Sequence, residues 1–366
     1  MLQLDLCRQR QRRLLDAMQR ERLDAVVVGL PAHVYYLSGH WPFWLHSPAF
    51  VLRGDGRSLL VTANEPAANV AADEVVAYEA SWSGTQRQEQ PSVVARHVYE
   101  RTPETLFKRV GLDASPVTSV LGMTSRREWV EAEGTLWQLR RQKDADELAL
   151  MRRAIACTEA MYRRARAVIE PGVPELRVYA ELHAAAVEVA GEPLAPAYLG
   201  NDYACGAGGG PPRGGRVAAA GELYVLDLGP AYRGYFSDNC RTFAVDRNPT
   251  DAQLEAREVV TGAHPIVERM AKPGVRCRDL YAAVDAHYRE RTGKPFPHHL
   301  GHGVGLQPHE FPHLNPKWDD VLMEGEVFTA EPGLYAPELN AGMRIENQYL
   351  VTATGVENLT PFPTEL

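Results

Sequence analysis

Four of the twelve histidines fall between Phe296 and Glu310, in F-P-H-H-L-G-H-G-V-G-L-Q-P-H-E. They are His298, His299, His302 and His309. Neutral imidazole binds metals and moves protons near pH 7, so such a cluster is either a polar surface loop or a site. The partners elsewhere in the chain decide between the two. Asp227 ends the apolar run Leu223-Tyr224-Val225-Leu226, and Asp238 follows Ser237 on the return. Glu331 ends Phe328-Thr329-Ala330, and Glu346 follows Arg344-Ile345. A turn at Tyr232-Arg233 would set Asp227 opposite Asp238, and a turn near Glu338-Leu339 would set Glu331 opposite Glu346. Facing residues in a hairpin have Cβ atoms ~4.5–5.5 Å apart, where like charges repel. One such pair can share a proton or lean on Arg344. Two pairs at the ends of buried strands call for a cation. Oxygen ligands with one imidazole suit Mn²⁺, Co²⁺ or Zn²⁺, and Mg²⁺ less well.

The elements that must carry these residues show in the pattern around them. A helix is expected over 145–169, stopping at Pro171-Gly172, and a second over 175–190, ending at Gly191. Strands follow over 222–228 and 235–245, then helices over 251–270 and 277–292. A last strand pair covers 326–335 and 343–352. Pro171-Gly172-Val173 recurs as Pro273-Gly274-Val275, Tyr179-Ala180 as Tyr281-Ala282, and Gly191 as Gly293, at one constant offset. Two copies of a helix pair with a hairpin imply a pseudo-symmetric α+β domain with its site between the halves. The glycine-rich stretch Gly200–Gly215 lacks a G-K-[ST] ending and reads as a ligand-approaching loop, not a phosphate cradle.

Upstream lies a different pattern. A helix is expected over 3–22 with Arg8, Arg10, Arg12 and Arg13 mostly on its polar face, a buried strand over Asp24–Gly29, and a hairpin over Phe50–Thr62 turning at Gly54-Asp55-Gly56. A strand at Val75–Tyr78, a helix at 91–102 and a strand at Val110–Asp113 complete a small α/β domain without a nucleotide motif. The polar run Arg140–Glu147 marks the boundary, giving domains 1–141 and 142–366. An aromatic cluster, Trp41, Phe43 and Trp44, follows the first strand.

Composition narrows the function. With 45% apolar and 23% charged residues, the 366-residue chain has material for two ordinary cores. A net charge of −8 argues against a nucleic-acid binder, and no apolar run is long enough to span a bilayer. Charge occupies the N-terminus where a signal peptide needs its apolar stretch, and five scattered cysteines form no C-x-x-C pair. A cytoplasmic protein is expected.

At these motifs the chain resembles the pita-bread metallopeptidases, in their proline-specific branch of prolidase (Xaa-Pro dipeptidase) and aminopeptidase P. The motifs are L-D-L-G with Asp227, S-D-N-C-R-T-F with Asp238, H-H-L-G-H-G-V-G-L with His302, A-E-P-G-L-Y with Glu331 and R-I-E-N with Glu346. The resemblance implies a creatinase-like N-terminal domain and a pita-bread catalytic domain. It implies that Asp227, Asp238, His302, Glu331 and Glu346 hold two divalent ions, Mn²⁺ or Co²⁺ first and Zn²⁺ also compatible. Glu331 is then the general base, His298 and His309 contact substrate and stabilise the tetrahedral intermediate, and Tyr335 and Arg344 support the site. The implied activity is cleavage of the Xaa-Pro bond in small peptides by a homodimer. The resemblance also implies that Trp41, Phe43 and Trp44 cap the site from a partner subunit, with packing in their own domain as the alternative. The dipeptidase is preferred; aminopeptidase P is the alternative, and a silent peptide-binding relative the alternative of another class. Two departures stand out. Proline-specific members carry a further histidine before the first aspartate, whereas residues 200–226 hold none, and Asn347 stands where an acidic residue is usual. Arg213 or Arg216 is the candidate replacement, binding a substrate carboxylate bidentately. His299 and His313 are expected to be surface polar groups.

Overall fold

The structure is a computed structural model that describes residues 1–124, 127–194 and 202–366. It divides into two compact units, Met1–Arg140 and Arg141–Leu366. The first is built on a six-stranded mixed sheet. Its order is Glu74–Tyr78, Ser58–Ala63, Ala49–Arg53, Ala25–Val28, Arg109–Leu112 and Glu128–Glu131. The strand Ala25–Val28 is buried at every position, as an inner strand with helices over it must be. Val27, Val51, Leu59 and Val61 pack with Val94 and Val98 of the helix Gln90–Arg101. Trp41 sets its ring edge against Tyr35 at 5.0 Å, while Phe43 and Trp44 face outward. Among the described residues no helix is long and apolar enough to cross a membrane.

The second unit repeats itself. The helices Ala145–Val168 and Glu175–Ala190 cover a three-stranded antiparallel sheet ordered Asn239–Ala244, Leu223–Leu228, Asp202–Cys205. The helix Cys277–Thr292 and its predecessors cover a five-stranded sheet ordered Glu310–Leu314, Gly301–Gly303, Val327–Ala330, Asn347–Val351, Val356–Asn358. Each half has its own core, with Met161, Leu182, Leu226 and Leu228 in one and Val267, Leu280, Phe328 and Tyr349 in the other. The Pro-Gly-Val repeats do the same work in both. Gly172 (φ +94°) donates its N–H to Ala218 O, and Gly274 (φ +89°) donates to Leu322 O. A left-handed φ at these positions favours glycine.

Three expectations need correction. The helix expected over 251–270 is two, Asp251–Thr261 and His264–Met270. Pro265 cannot donate to the preceding turn, so the helix restarts there. The first hairpin turns at Arg233-Gly234, both with positive φ, one residue later than expected. Its register therefore sets Asp227 opposite Cys240, and Asp238 lies diagonally from Asp227 instead of facing it. The last strand pair is broken into two ladders, Val327–Ala330 with Asn347–Val351 and Gly333–Ala336 with Ala341–Arg344. Glu331 and Glu346 lie in the gap, in the register that the ladders on both sides share.

Glycines let the strand Gly301–Gly303 lie close to its neighbours. A Cβ at Gly301 would sit 1.9 Å from Thr329 O, and one at Gly303 would sit 1.9 Å from Phe311 O. Both obstacles are backbone and cannot rotate away. Gly301→Ala is expected to lower stability by about 1–3 kcal/mol and to displace His302. Urea unfolding checks the first effect, and an unchanged midpoint would contradict the close approach.

Candidate metal centre

Each charged residue of the centre sits where an apolar run ends. Asp227 is the fifth residue of the buried strand Leu223–Leu228. Asp238 immediately precedes Asn239–Ala244, Glu331 follows Val327–Ala330, and Glu346 precedes Asn347–Val351. The backbone stitches the halves together here. Glu346 N–H donates across the halves to Cys240 O at 2.9 Å, and within the second half Glu331 N–H donates to Leu300 O at 2.8 Å. Thr242 Oγ1 bonds both the N–H and the C=O of Arg344. All five candidate ligands are buried, Glu346 to 1% exposure.

They converge. Ligand atoms of Asp227, Asp238 and Glu346 lie within 4.8 Å of one another, as do those of His302, Glu331 and Glu346. The two triads share Glu346. His302 Nε2 stands 3.4 Å from Glu331 and 3.7 Å from Asp238. Its Nδ1–H donates to Gly303 O at 3.0 Å, which fixes the tautomer and leaves the Nε2 lone pair facing the carboxylates. Asp227 Oδ1, Glu331 Oε1 and Glu346 Oε2 are buried with no hydrogen-bond partner among the described residues. Unpartnered carboxylate oxygens beside an imidazole lone pair form a donor set for a hard or borderline cation, so a divalent metal fits this cluster.

The electrostatics say the same. Burial, with Asp227 and Asp202 adding to it and Arg344 opposing, pushes the Glu331 carboxyl up to about 8. Burial and the neighbouring carboxylates push Asp238 and Glu346 well above the usual range, and burial raises Asp227. His302 is held well below its ordinary value by burial, with His309 adding to it. Metal-free, burial thus favours protons on the carboxyl oxygens and disfavours one on His302, and a cation competes with those protons.

The remaining candidates divide. His298 Nδ1–H donates to His299 O at 2.8 Å, so its Nε2 accepts from Tyr335 Oη at 3.2 Å. Tyr335 accepts in turn from Arg344 Nη1 at 3.1 Å, and Arg344 Nη2 donates to Asp227 at 2.8 Å. His309 is exposed and stacks on His302 with ring centroids 3.6 Å apart. His299, expected to be a surface group, stands 3.5 Å from Glu331 Oε1. His313 lies apart, paired to Asp320 at 3.0 Å and stacked on Trp318. Asn347 joins a scaffold that the motif did not reveal. Its Oδ1 accepts from buried Arg241, which also donates to the carbonyls of Glu346, Thr360 and Phe362 and so pins the backbone of Glu346.

Arg213 and Arg216 are not the free clamp expected of them. Arg213 is committed to the fully buried Glu175, Nη2 to Oε1 at 2.6 Å and Nε to Oε2 at 3.1 Å, and to Cys205 O at 2.6 Å. Arg216 is paired with Glu222. Gly200 and Asn201 of the glycine-rich stretch lie outside the described residues. The residue that the sequence did not disclose is Asp202, which the guanidinium of Arg344 joins to Asp227.

Two predictions follow from these contacts. Arg213→Ala leaves the buried Glu175 carboxylate with backbone N–H donors but no cation and is expected to cost about 1–3 kcal/mol of stability; a rise in peptide KM at unchanged stability would restore the clamp. The second concerns pH. Carboxyls held above their unfolded values bind protons that the unfolded chain has lost, so stability falls as pH rises toward the folded value. Histidines are largely neutral in both states above about pH 7. Chelator-treated protein is therefore expected to lose stability from about pH 7 toward the value of about 8 held by Glu331. The slope is up to about 1.4 kcal/mol per pH unit for each retained proton. Excess Mn²⁺ should flatten it, and a metal-free stability that is level across this range would contradict the buried-carboxyl account.

Comparison with known proteins agrees with the geometry. Residues 149–353 match the Metallopeptidase family M24, and residues 10–142 match the Creatinase/Prolidase N-terminal domain. The chain is 29% identical to the Xaa-Pro dipeptidase of Pyrococcus furiosus over 98% of this chain and 99% of that protein. The solved structure of the prolidase from Pyrococcus furiosus superimposes with a TM-score of 0.79 at 26% identity, covering 95% and 99% of the two chains. The prolidase from Pyrococcus horikoshii OT3 gives 0.80 at 26% identity over 98% and 99%. The chain, with its carboxylate-rich centre at the meeting of two repeated halves, belongs to metallopeptidase family M24.

Proposed function

We propose that this protein is a dinuclear metal-dependent Xaa-Pro dipeptidase. The observation that carries the reading is the pair of ligand triads sharing Glu346, walled by His298, Tyr335 and His309. Relatives named Xaa-Pro dipeptidase at full length support the substrate class. Asp227, Asp238 and Glu346 would hold one ion, and His302, Glu331 and Glu346 the other, Mn²⁺ or Co²⁺ by their donor chemistry. When bound, the ions supply Lewis acidity toward water and the scissile carbonyl.

The chain's own residues do the rest. Glu331 takes the proton of the attacking water and returns it to the departing proline nitrogen, a general-base role for a carboxylate whose buried Oε1 has no hydrogen-bond partner among the described residues. His298, held down to about 4 first by burial and then by Arg344, stays neutral at working pH. Its Nε2 accepts from Tyr335, so it shapes the proline side of the pocket, and the donor to a developing oxyanion is His309. A proline ring carries no N–H and leaves no donor to satisfy in such a wall. In this reading residues 142–366 are catalytic and residues 1–141 accessory, and the protein works on small peptides as a cytoplasmic homodimer.

The test is hydrolysis of Leu-Pro beside a longer X-Pro-Pro peptide, with Mn²⁺ or Co²⁺ added. Leu-Pro should be cleaved, a chelator should abolish the reaction, and Glu331→Gln should lower kcat by roughly 10²–10⁴-fold. Preference for the longer peptide would make the enzyme an aminopeptidase P, and cleavage of neither would remove the proline-specific assignment.

A further inference from the structure

Asp202 begins the edge strand Asp202–Cys205, and the antiparallel register sets it directly across from Asp227. Two carboxylates facing each other across a sheet repel, and burial makes the repulsion stronger. Asp202 is nonetheless only 9% exposed. What holds it is built on three sides. The Nη2 of Arg344 contacts Asp202 and Asp227 together. Asp202 Oδ1 accepts the N–H of Gly210 at 2.6 Å. Gly209, at φ +147°, closes over the carboxylate so tightly that a Cβ there would meet Oδ2 at 2.7 Å.

Arg344 presents a charge problem to the centre. A guanidinium 2.8 Å from Asp227 neutralises part of the charge that Asp227 could offer to a cation. The second carboxylate on the same guanidinium returns that charge. Asp202, Asp227, Asp238, Glu331 and Glu346 set against Arg344 leave four net negative charges, the number that two divalent cations carry. We infer that Asp202 is a positioning residue of the metal centre: it takes up the charge of Arg344, leaving Asp227 to the cation, and fixes the end of the Arg344–Tyr335–His298 chain. Through Gly210 it also fastens the glycine-rich loop over the centre, in the stretch that has no histidine. The inference rests on the divalent-cation reading above.

Calorimetric titration of chelator-stripped protein with Mn²⁺ tests it, using wild type, Asp202→Asn and the pair Asp202→Asn/Arg344→Gln. The single variant leaves the guanidinium unopposed on Asp227 and is expected to bind Mn²⁺ about ten- to a hundredfold more weakly. The pair variant removes both charges and is expected to return to within about fivefold of wild type, a non-additivity that marks direct coupling. Wild type that binds no Mn²⁺ overturns the cation reading and this inference with it. Wild type that binds, with Asp202→Asn unchanged, overturns the Asp202 role alone. A weakened single variant that the second substitution does not rescue shows a merely structural residue and also overturns it. Should Asp202→Asn not fold, the pair variant decides by itself, near-wild-type Mn²⁺ affinity supporting the inference and weak binding overturning it.

Discussion

Carboxylates brought within a few ångströms of one another and shut away from water cannot all be ionised unless positive charge sits among them. That constraint governs this molecule. The fold spends its most rigid material, two antiparallel sheets each backed by helices, on holding like charges together. One guanidinium, that of Arg344, is the only cationic side chain given to the cluster among the described residues, and it is shared between two aspartates. The rest of the compensation must come from protons or from metal. The raised carboxyls and the lowered His302 describe the proton-filled alternative.

Much of this could be read from the sequence, because the centre is marked by contrasts. An acidic residue at the end of an apolar strand is conspicuous, and it happens four times, at Asp227, Asp238, Glu331 and Glu346. His302 stands between glycines that admit it to a crowded strand. The second register was legible because its turn centre could be placed, whereas the first was misplaced by one residue at Arg233-Gly234. Asp202 had no such contrast. It opens a short strand beside a polar loop, and its meaning arises only from what the sheet sets across from it. The same holds for Glu175 under Arg213 and for Arg241 beneath Glu346, pairings between residues far apart in the chain. His299 looked like a surface group because adjacent histidines differ only in the direction in which the loop turns them.

The pseudo-symmetry also explains a division of labour. Each half contributes a strand pair and a helix cover on the same plan, with glycines at the same left-handed corners. The halves differ in what they add. The first supplies Asp202 and the loop that closes over it, and the second supplies His298, His299, His302 and His309. The matching plan sets carboxylates of both halves at one centre, and the halves differ in the side chains placed around it.

The split of the ligand set between the halves has a consequence for how the molecule comes into being. Asp227 and Asp238 emerge in one repeat, and His302, Glu331 and Glu346 in the other. The triad of His302, Glu331 and Glu346 lies wholly in the second repeat, whereas that of Asp227 and Asp238 also needs Glu346 and stays incomplete until the second repeat has folded against the first. Contacts so distant in sequence form late, after the loop entropy of the intervening chain has been overcome. A half-folded chain lacks the first triad, and the centre with both triads exists only once the two halves have met.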